Sequence, residues 1–168
     1  MEFQEQIWPI KDRLFRLAYR LVNDRAEAED VVQEVMIKLW KQGQGLLSIN
    51  NLEAWCLKLT KNQALDKLKG GYRKRKAPLE HMGEPSTAAN TSPDRKAEQQ
   101  DLYDQVQRLM QSLPPDYQSV VQLRDIEGMS YQEIADALDM TLAQVKTNLF
   151  RARKKLREAL EKRNAYGL

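Results

Sequence analysis

The sequence predicts an all-α protein made of two small helical domains, on three observations. Apolar residues recur every three or four positions along most of the 168-residue chain, and the alternation a half-buried strand needs is hard to find. One polar stretch without period, from about Ala77 to Lys96, interrupts that pattern; it holds Pro78, Gly83, Pro85, Ser86, Thr87, Asn90, Thr91, Ser92 and Pro93 and has little to bury. Each flank is long enough for one small bundle with a thin core that leans on partner contacts. The expected organisation is a domain over residues 1–76, a flexible linker over 77–96 and a domain over 97–168.

The first helix is expected from about Phe3 to Val22, with Ile7, Ile10, Leu14, Leu17, Ala18 and Leu21 on one face, broken by Asn23 and Asp24. A second runs from about Arg25 to Lys41. Its apolar positions are Ala28, Val31, Val32, Val35, Met36, Leu39 and Trp40, and Gly43 and Gly45 end it. The loop from Gln42 to Asn50 carries no readable pattern. Asn51 is a fair N-cap for a third helix through Leu52, Trp55, Leu59, Ala64, Leu65 and Leu68, weakened near its end by Gly70 and Gly71. Beyond the linker, a helix from about Ala97 to Ser112 turns Leu102, Val106, Leu109 and Met110 inward. Pro114 or Pro115 opens the next, which carries Tyr117, Val120, Val121, Leu123 and Ile126 and stops at Gly128. Ser130 and Glu133 form a capping box for a short helix, and Thr141 caps a last helix reaching about Arg163. No convincing internal repeat is present.

The strongest local signal runs from Ser130 to Val145. Ile134, Leu138, Met140 and Val145 would meet in the angle between two helices, with Ala135 small where they approach. The short turn at Asp139 and Met140 tolerates a left-handed residue at the aspartate. This is the pattern of a helix-turn-helix, whose second helix enters the major groove. Charge supports it. From Thr141 to Arg163 the basic residues Lys146, Arg151, Arg153, Lys154, Lys155, Arg157, Lys162 and Arg163 face only Glu158 and Glu161, as phosphate binding requires. Between Asp101 and Met140 the balance is acidic.

The first domain has two charge zones. Asp24, Glu27, Glu29, Asp30 and Glu34 crowd the start of the second helix, which the helix dipole favours and a protein partner could use for docking. Lys58, Lys61, Lys67, Lys69, Arg73, Lys74, Arg75 and Lys76 face only Asp66 along the third, with Trp55, Tyr72, Asn62 and Gln63 interleaved. That mixture suits single-stranded nucleic acid, where bases stack and phosphates are neutralised. Trp55 suits core packing equally well.

The chemistry left over is small. Cys56 lies in an apolar stretch and reads as a buried small residue, and one cysteine forms no internal disulfide or CxxC site. His81 has no histidine partner. No catalytic residue, cofactor or metal site is expected. There is no long apolar run and no signal-peptide pattern at the acidic N-terminus, so membrane insertion is not expected and a cytoplasmic location is.

Two stretches of the first domain, Asp24–Trp40 and Asn51–Leu68, resemble the core-polymerase-binding segment and the −10-element-reading helix of sigma-70-type factors. Leu113–Tyr117, the helix-turn-helix and Val145–Leu156 resemble the −35-reading domain. Two domains in this length resemble the extracytoplasmic-function (ECF) subgroup, which lacks the family's extra N-terminal and middle regions. The resemblance implies a region 2 helical bundle and a region 4 helix-turn-helix domain that give core RNA polymerase its promoter specificity in transcription initiation. It implies that Asp30, Gln33, Glu34, Val35 and Leu39 dock on the clamp helices of the polymerase's largest subunit. A contact with the flap of the second-largest subunit and an anti-sigma partner are implied as well. Trp55, Lys61, Asn62, Asp66 and Arg73 would hold the opened non-template strand near −10. Lys146, Thr147, Asn148 and Arg151 would contact the −35 duplex, with Arg153 and Lys154 on phosphates. A linker between the modules raises the effective concentration of the second contact. Ala143 and Gln144 stand where the family often has glycine then threonine, and Asn148 where arginine is common; both bear on base preference. The residues also admit a stand-alone helix-turn-helix regulator. An enzyme of nucleic-acid metabolism is disfavoured, since the sequence has no nucleotide loop, metal cluster or nucleophile–base pair.

Overall fold

The computed structural model describes residues 2–75 and 93–165. Over these residues the chain forms α1 (Glu2–Val22), α2 (Arg25–Gln42), α3 (Leu52–Arg75), α4 (Pro93–Gln111), α5 (Pro115–Val121), α6 (Tyr131–Leu138) and α7 (Leu142–Ala165). A 3-10 segment, Gly43–Ser48, follows α2, and a π-helical turn, Gln122–Ile126, continues α5. No strand occurs among the described residues, so the chain is all-α as expected. The linker expected over 77–96 lies mostly outside the described residues. Its last four positions are the first turn of α4, where Pro93 suits a helix start.

α1, α2 and α3 form the first bundle. Leu14, Leu17, Val31, Val35, Leu39 and Leu57 are fully buried there, and truncating one of the leucines to alanine costs about 2–5 kcal/mol. The Asp24 carboxylate accepts from Glu27 N at 2.9 Å and starts α2. Gly43, with φ +52, stops it in the left-handed region that favours glycine. Asn51 Oδ1 accepts from Ala54 N at 3.0 Å, the cap expected of it. Trp40, expected among the apolar positions of α2, is 75% exposed. It sits about 100° round the helix from Leu39, beyond the buried sector.

The second half packs α5, α6 and α7 around Val120, Leu123, Ile134, Leu138, Val145, Leu149 and Ala152. Asp139 adopts the left-handed conformation (φ 58°, ψ 46°), and Ser130 Oγ accepts from Glu133 N at 3.1 Å. Two expectations fail here. Leu102 and Val106 are exposed, because α4 turns inward the stripe carrying Gln107 and Met110. Ile126 is also exposed. Glu127 N bonds Gln122 O at 3.0 Å, a π-type span whose wider turn shifts the register and carries Gln122 inward instead.

The halves are packed together, α1 against α4 and α5, and α3 against α6. Arg20 lies buried at this junction. Its guanidinium donates to Gln122 Oε1 at 2.8 Å and to Gln107 Oε1, and its own carbonyl accepts from Gln111 Nε2 at 3.2 Å. Beside it, Glu127 accepts from Arg16 Nε at 2.6 Å and from Arg13 Nε at 3.3 Å, and Arg13 also pairs with Glu53. The Arg16 hydrogen bond holds the Glu127 carboxyl below the usual carboxylate range.

Candidate nucleic-acid interface

α3 carries the first candidate surface. Its core side presents Cys56, Leu57, Thr60 and Ala64, all fully buried. Burial pushes the Cys56 thiol up to about 12, so it stays protonated and unreactive. Helical spacing then places Trp55, Asn62 and Asp66 on one opposite strip, with Lys58 and Lys69 beside it. Asn62 and Asp66 are exposed and Trp55 is half-buried. Arg73 continues this register on the last turn, and its side chain lies outside the described residues. Lys61 stands apart from the strip. Its side chain is 11% exposed, and Nζ meets Asp116 Oδ1 at 2.6 Å at the start of α5. Lys58 Nζ likewise lies 3.3 Å from Asp139 Oδ2. The structure therefore brings Trp55, Asn62 and Asp66 together and turns Lys61 toward the other half.

α7 carries the second surface. Val145, Leu149, Ala152 and Leu156 form its inward edge, so Thr147, Arg151 and Lys154 fall on the open side and are exposed. Lys146 is exposed on one flank, 6.0 Å from the Tyr131 ring centroid. Asn148 is half-buried, its Nδ2 directed at Met140 Sδ (3.6 Å). Arg153, expected on phosphate, instead donates from Nε to Asp125 Oδ2 at 3.1 Å, which raises its pKa and ties α7 to the π-helical turn. Phe150, 70% exposed among these polar groups, was not singled out by the sequence, although spacing from Thr147 would have found it.

A third surface lies on α2. Asp30, Gln33 and Glu34 face outward together, and Lys67 Nζ lies 3.8 Å from Asp30 and 3.7 Å from Glu34. Val35 and Leu39, expected beside them, are fully buried and hold the helix to its bundle; an apolar side chain there serves the core. The apolar residues that share the acidic face are Ile37 and Trp40, both exposed. Counting in threes and fours from Asp30 reaches Ile37 and would have separated it from Val35. Among the described residues, no helix is long and apolar enough to cross a membrane.

Comparison with known proteins matches residues 10–75 to the family described as Sigma-70 region 2 and residues 103–156 to that described as Sigma-70, region 4. The chain is similar to the ECF RNA polymerase sigma factor SigE of Mycolicibacterium smegmatis, 33% identical over 92% of this chain and 60% of that protein. It is also similar to the RNA polymerase sigma-E factor of Streptomyces avermitilis, 32% identical over 98% of this chain and 88% of that one. Among solved structures it is similar to the sigma factor RpoE in complex with the anti-sigma factor NepR from Bartonella quintana. The TM-score is 0.71 at 22% identity, covering 95% of this chain and 97% of that one. CnrH in complex with the cytosolic domain of CnrY gives 0.68 at 22% identity, covering 95% and 88%. At that identity these two likenesses speak for the fold.

Proposed function

We infer the roles of these surfaces from one premise: this chain belongs to the sigma-70 family of RNA polymerase sigma factors, in its extracytoplasmic-function group. It directs promoter recognition and the start of DNA-templated transcription by core RNA polymerase. The synthesis of RNA belongs to the polymerase, so this chain acts as a binding protein and not as an enzyme.

The face of α2 carrying Asp30, Gln33 and Glu34 docks on the clamp helices of the polymerase's largest subunit. Ile37 and Trp40 add apolar area to that contact, while Val35 and Leu39 support it from beneath. Trp55, Asn62 and Asp66, with Lys58, Lys69 and Arg73, take the opened non-template strand near −10. Unpairing a base costs a few kcal/mol, offset by stacking and by contacts in the strip. Thr147, Arg151 and Lys154, with Lys146, meet the −35 duplex, and Asn148 borders it. Residues 97–168 also contact the flap of the second-largest subunit. The domain division is 1–76 and 97–168, with 77–96 joining them, and the protein works in the cytoplasm. An anti-sigma factor holds it inactive, a role supported by the complexes of the two structural neighbours.

The observation that carries this reading is the separation of surfaces. An acidic, partly apolar face lies on α2, while two basic helices of different character lie one in each half. Run-off transcription on genomic fragments with core polymerase, with and without the chain, tests it. Discrete transcripts that depend on the chain are expected. If none starts at any defined site, the reading fails.

A further inference from the structure

We propose that Gln144 reads a base on the −35 duplex, selecting through its amide N–H groups a base with major-groove acceptors, guanine or thymine. The proposal rests on the duplex-reading role given above to α7.

A free surface glutamine samples many rotamers and offers either end of its amide, donor or acceptor. Gln144 does not have that freedom. Thr141 N donates to its Oε1 at 2.9 Å, and Gln144 N donates to Thr141 Oγ1 at 3.1 Å. This reciprocal pair is a capping box, with glutamine in the place glutamate often takes. It turns the carbonyl back onto the start of α7 and leaves the amino group on the far side of the amide. The two N–H donors of Nε2 have no partner among the described residues, and the side chain is exposed on the first turn of α7. Thr147 and Arg151 follow on successive turns of the open side.

Two consequences follow. The rotamer is already ordered before DNA arrives, so binding loses less side-chain entropy. The paired donor and acceptor by which glutamine usually recognises adenine is compromised, because the acceptor is held by Thr141 N. What remains is a donor, which matches guanine O6 and N7 or thymine O4. Asn148, one turn on, directs its amino group at Met140 Sδ and so does not duplicate that donor.

The test uses Gln144→Glu, which closes the same capping box but replaces the amino group with an acceptor. Holoenzyme carrying either chain transcribes a promoter library randomised across the upstream element, and the transcripts are sequenced. The original chain is expected to favour guanine or thymine at one position. Gln144→Glu should cut that preference about tenfold at that position and turn it toward cytosine or adenine, leaving other positions unchanged. Gln144→Ala should flatten the same position without inverting it. An unchanged profile overturns the proposal. So does an equal loss at every position, the signature of added negative charge or a weakened cap alone. If the original holoenzyme starts nowhere in the library, the reading of the whole chain fails with it; if it starts and only the Gln144 profiles are flat, this proposal fails alone.

Discussion

The two basic helices differ in what already holds their charges. On α3, Lys58 and Lys61 are engaged by Asp139 and Asp116 of the second half. On α7, Arg151 and Lys154 stand exposed with no partner among the described residues. The acidic balance between Asp101 and Met140 thus stands partly where phosphates would stand on α3, and nowhere on the open side of α7. A strand that is to use Lys61 must displace a carboxylate first, whereas a duplex reaching Arg151 displaces only water and counterions. The same contrast separates Arg151 from Arg153, since the latter is held by Asp125.

The largest way to break the contrast is at the junction that holds the halves together. Arg20 is a buried cation whose printed partners are the two neutral amide oxygens of Gln122 and Gln107, and burial lowers its pKa. Arg20→Met removes the charge but leaves both acceptors buried. We expect a loss of about 2–3 kcal/mol, read as a lower urea midpoint of the full chain. An unchanged midpoint would mean that the junction is not a cooperative part of the fold.

Next is Glu127, whose side chain is 5% exposed. Arg16 depresses its folded pKa below the ordinary 4.5, so its contribution is complete above the unfolded value and is lost as pH falls through the folded one. Glu127→Gln should cost about 1–2 kcal/mol at neutral pH. It should also flatten the decline in stability just below pH 4.5. A variant that keeps the full acid slope would assign that slope to other carboxylates.

Where each helix sits was legible because periodicity and caps are local properties. Asp24 begins a helix, Gly43 ends one and Asp139 turns left-handed, each for reasons contained within a few residues. The helix-turn-helix and the strip of Trp55, Asn62 and Asp66 were legible on the same grounds. What was not legible depends on contacts across the chain. Lys61 reads as one more basic residue of α3 until α5 places Asp116 against it, and Arg153 reads as a phosphate ligand until the π-helical turn brings Asp125 within reach. Val35 and Leu39 were assigned to docking by resemblance, although their spacing with Val31 and Ala28 already marked them as core. The capping glutamine at 144 could have been found by counting three residues on from Thr141.

A smaller effect sharpens the contrast within α7. Arg151→Ala should weaken promoter binding by the holoenzyme and reduce the salt slope of log affinity by about one, as the loss of one phosphate contact does. Arg153→Ala should leave that slope alone and lower stability by no more than about 1 kcal/mol, since its pair with Asp125 is half-exposed. Equal salt slopes for the two variants would erase the distinction.

The smallest effect concerns the contact that separates the two helices. Asp116→Asn removes the charge facing Lys61 with little change of shape. The carboxylate is 56% exposed, so the pair contributes little to stability, on the order of 0.5–1 kcal/mol. Lys61 itself is mostly covered, so the loss of its partner should matter more for binding than for folding. With that partner gone, the holoenzyme should hold a single-stranded −10 oligonucleotide about two- to fivefold more tightly at low salt. The gain should fade as salt rises, because the Debye length shrinks from about 10 Å at 0.1 M to about 3 Å at 1 M. The decisive arm is the double variant. In a Lys61→Ala background, Asp116→Asn should bring no gain, because the group it releases is absent. If the gain survives there, Asp116 acts on DNA through general repulsion, and the engaged and open helices differ in position alone.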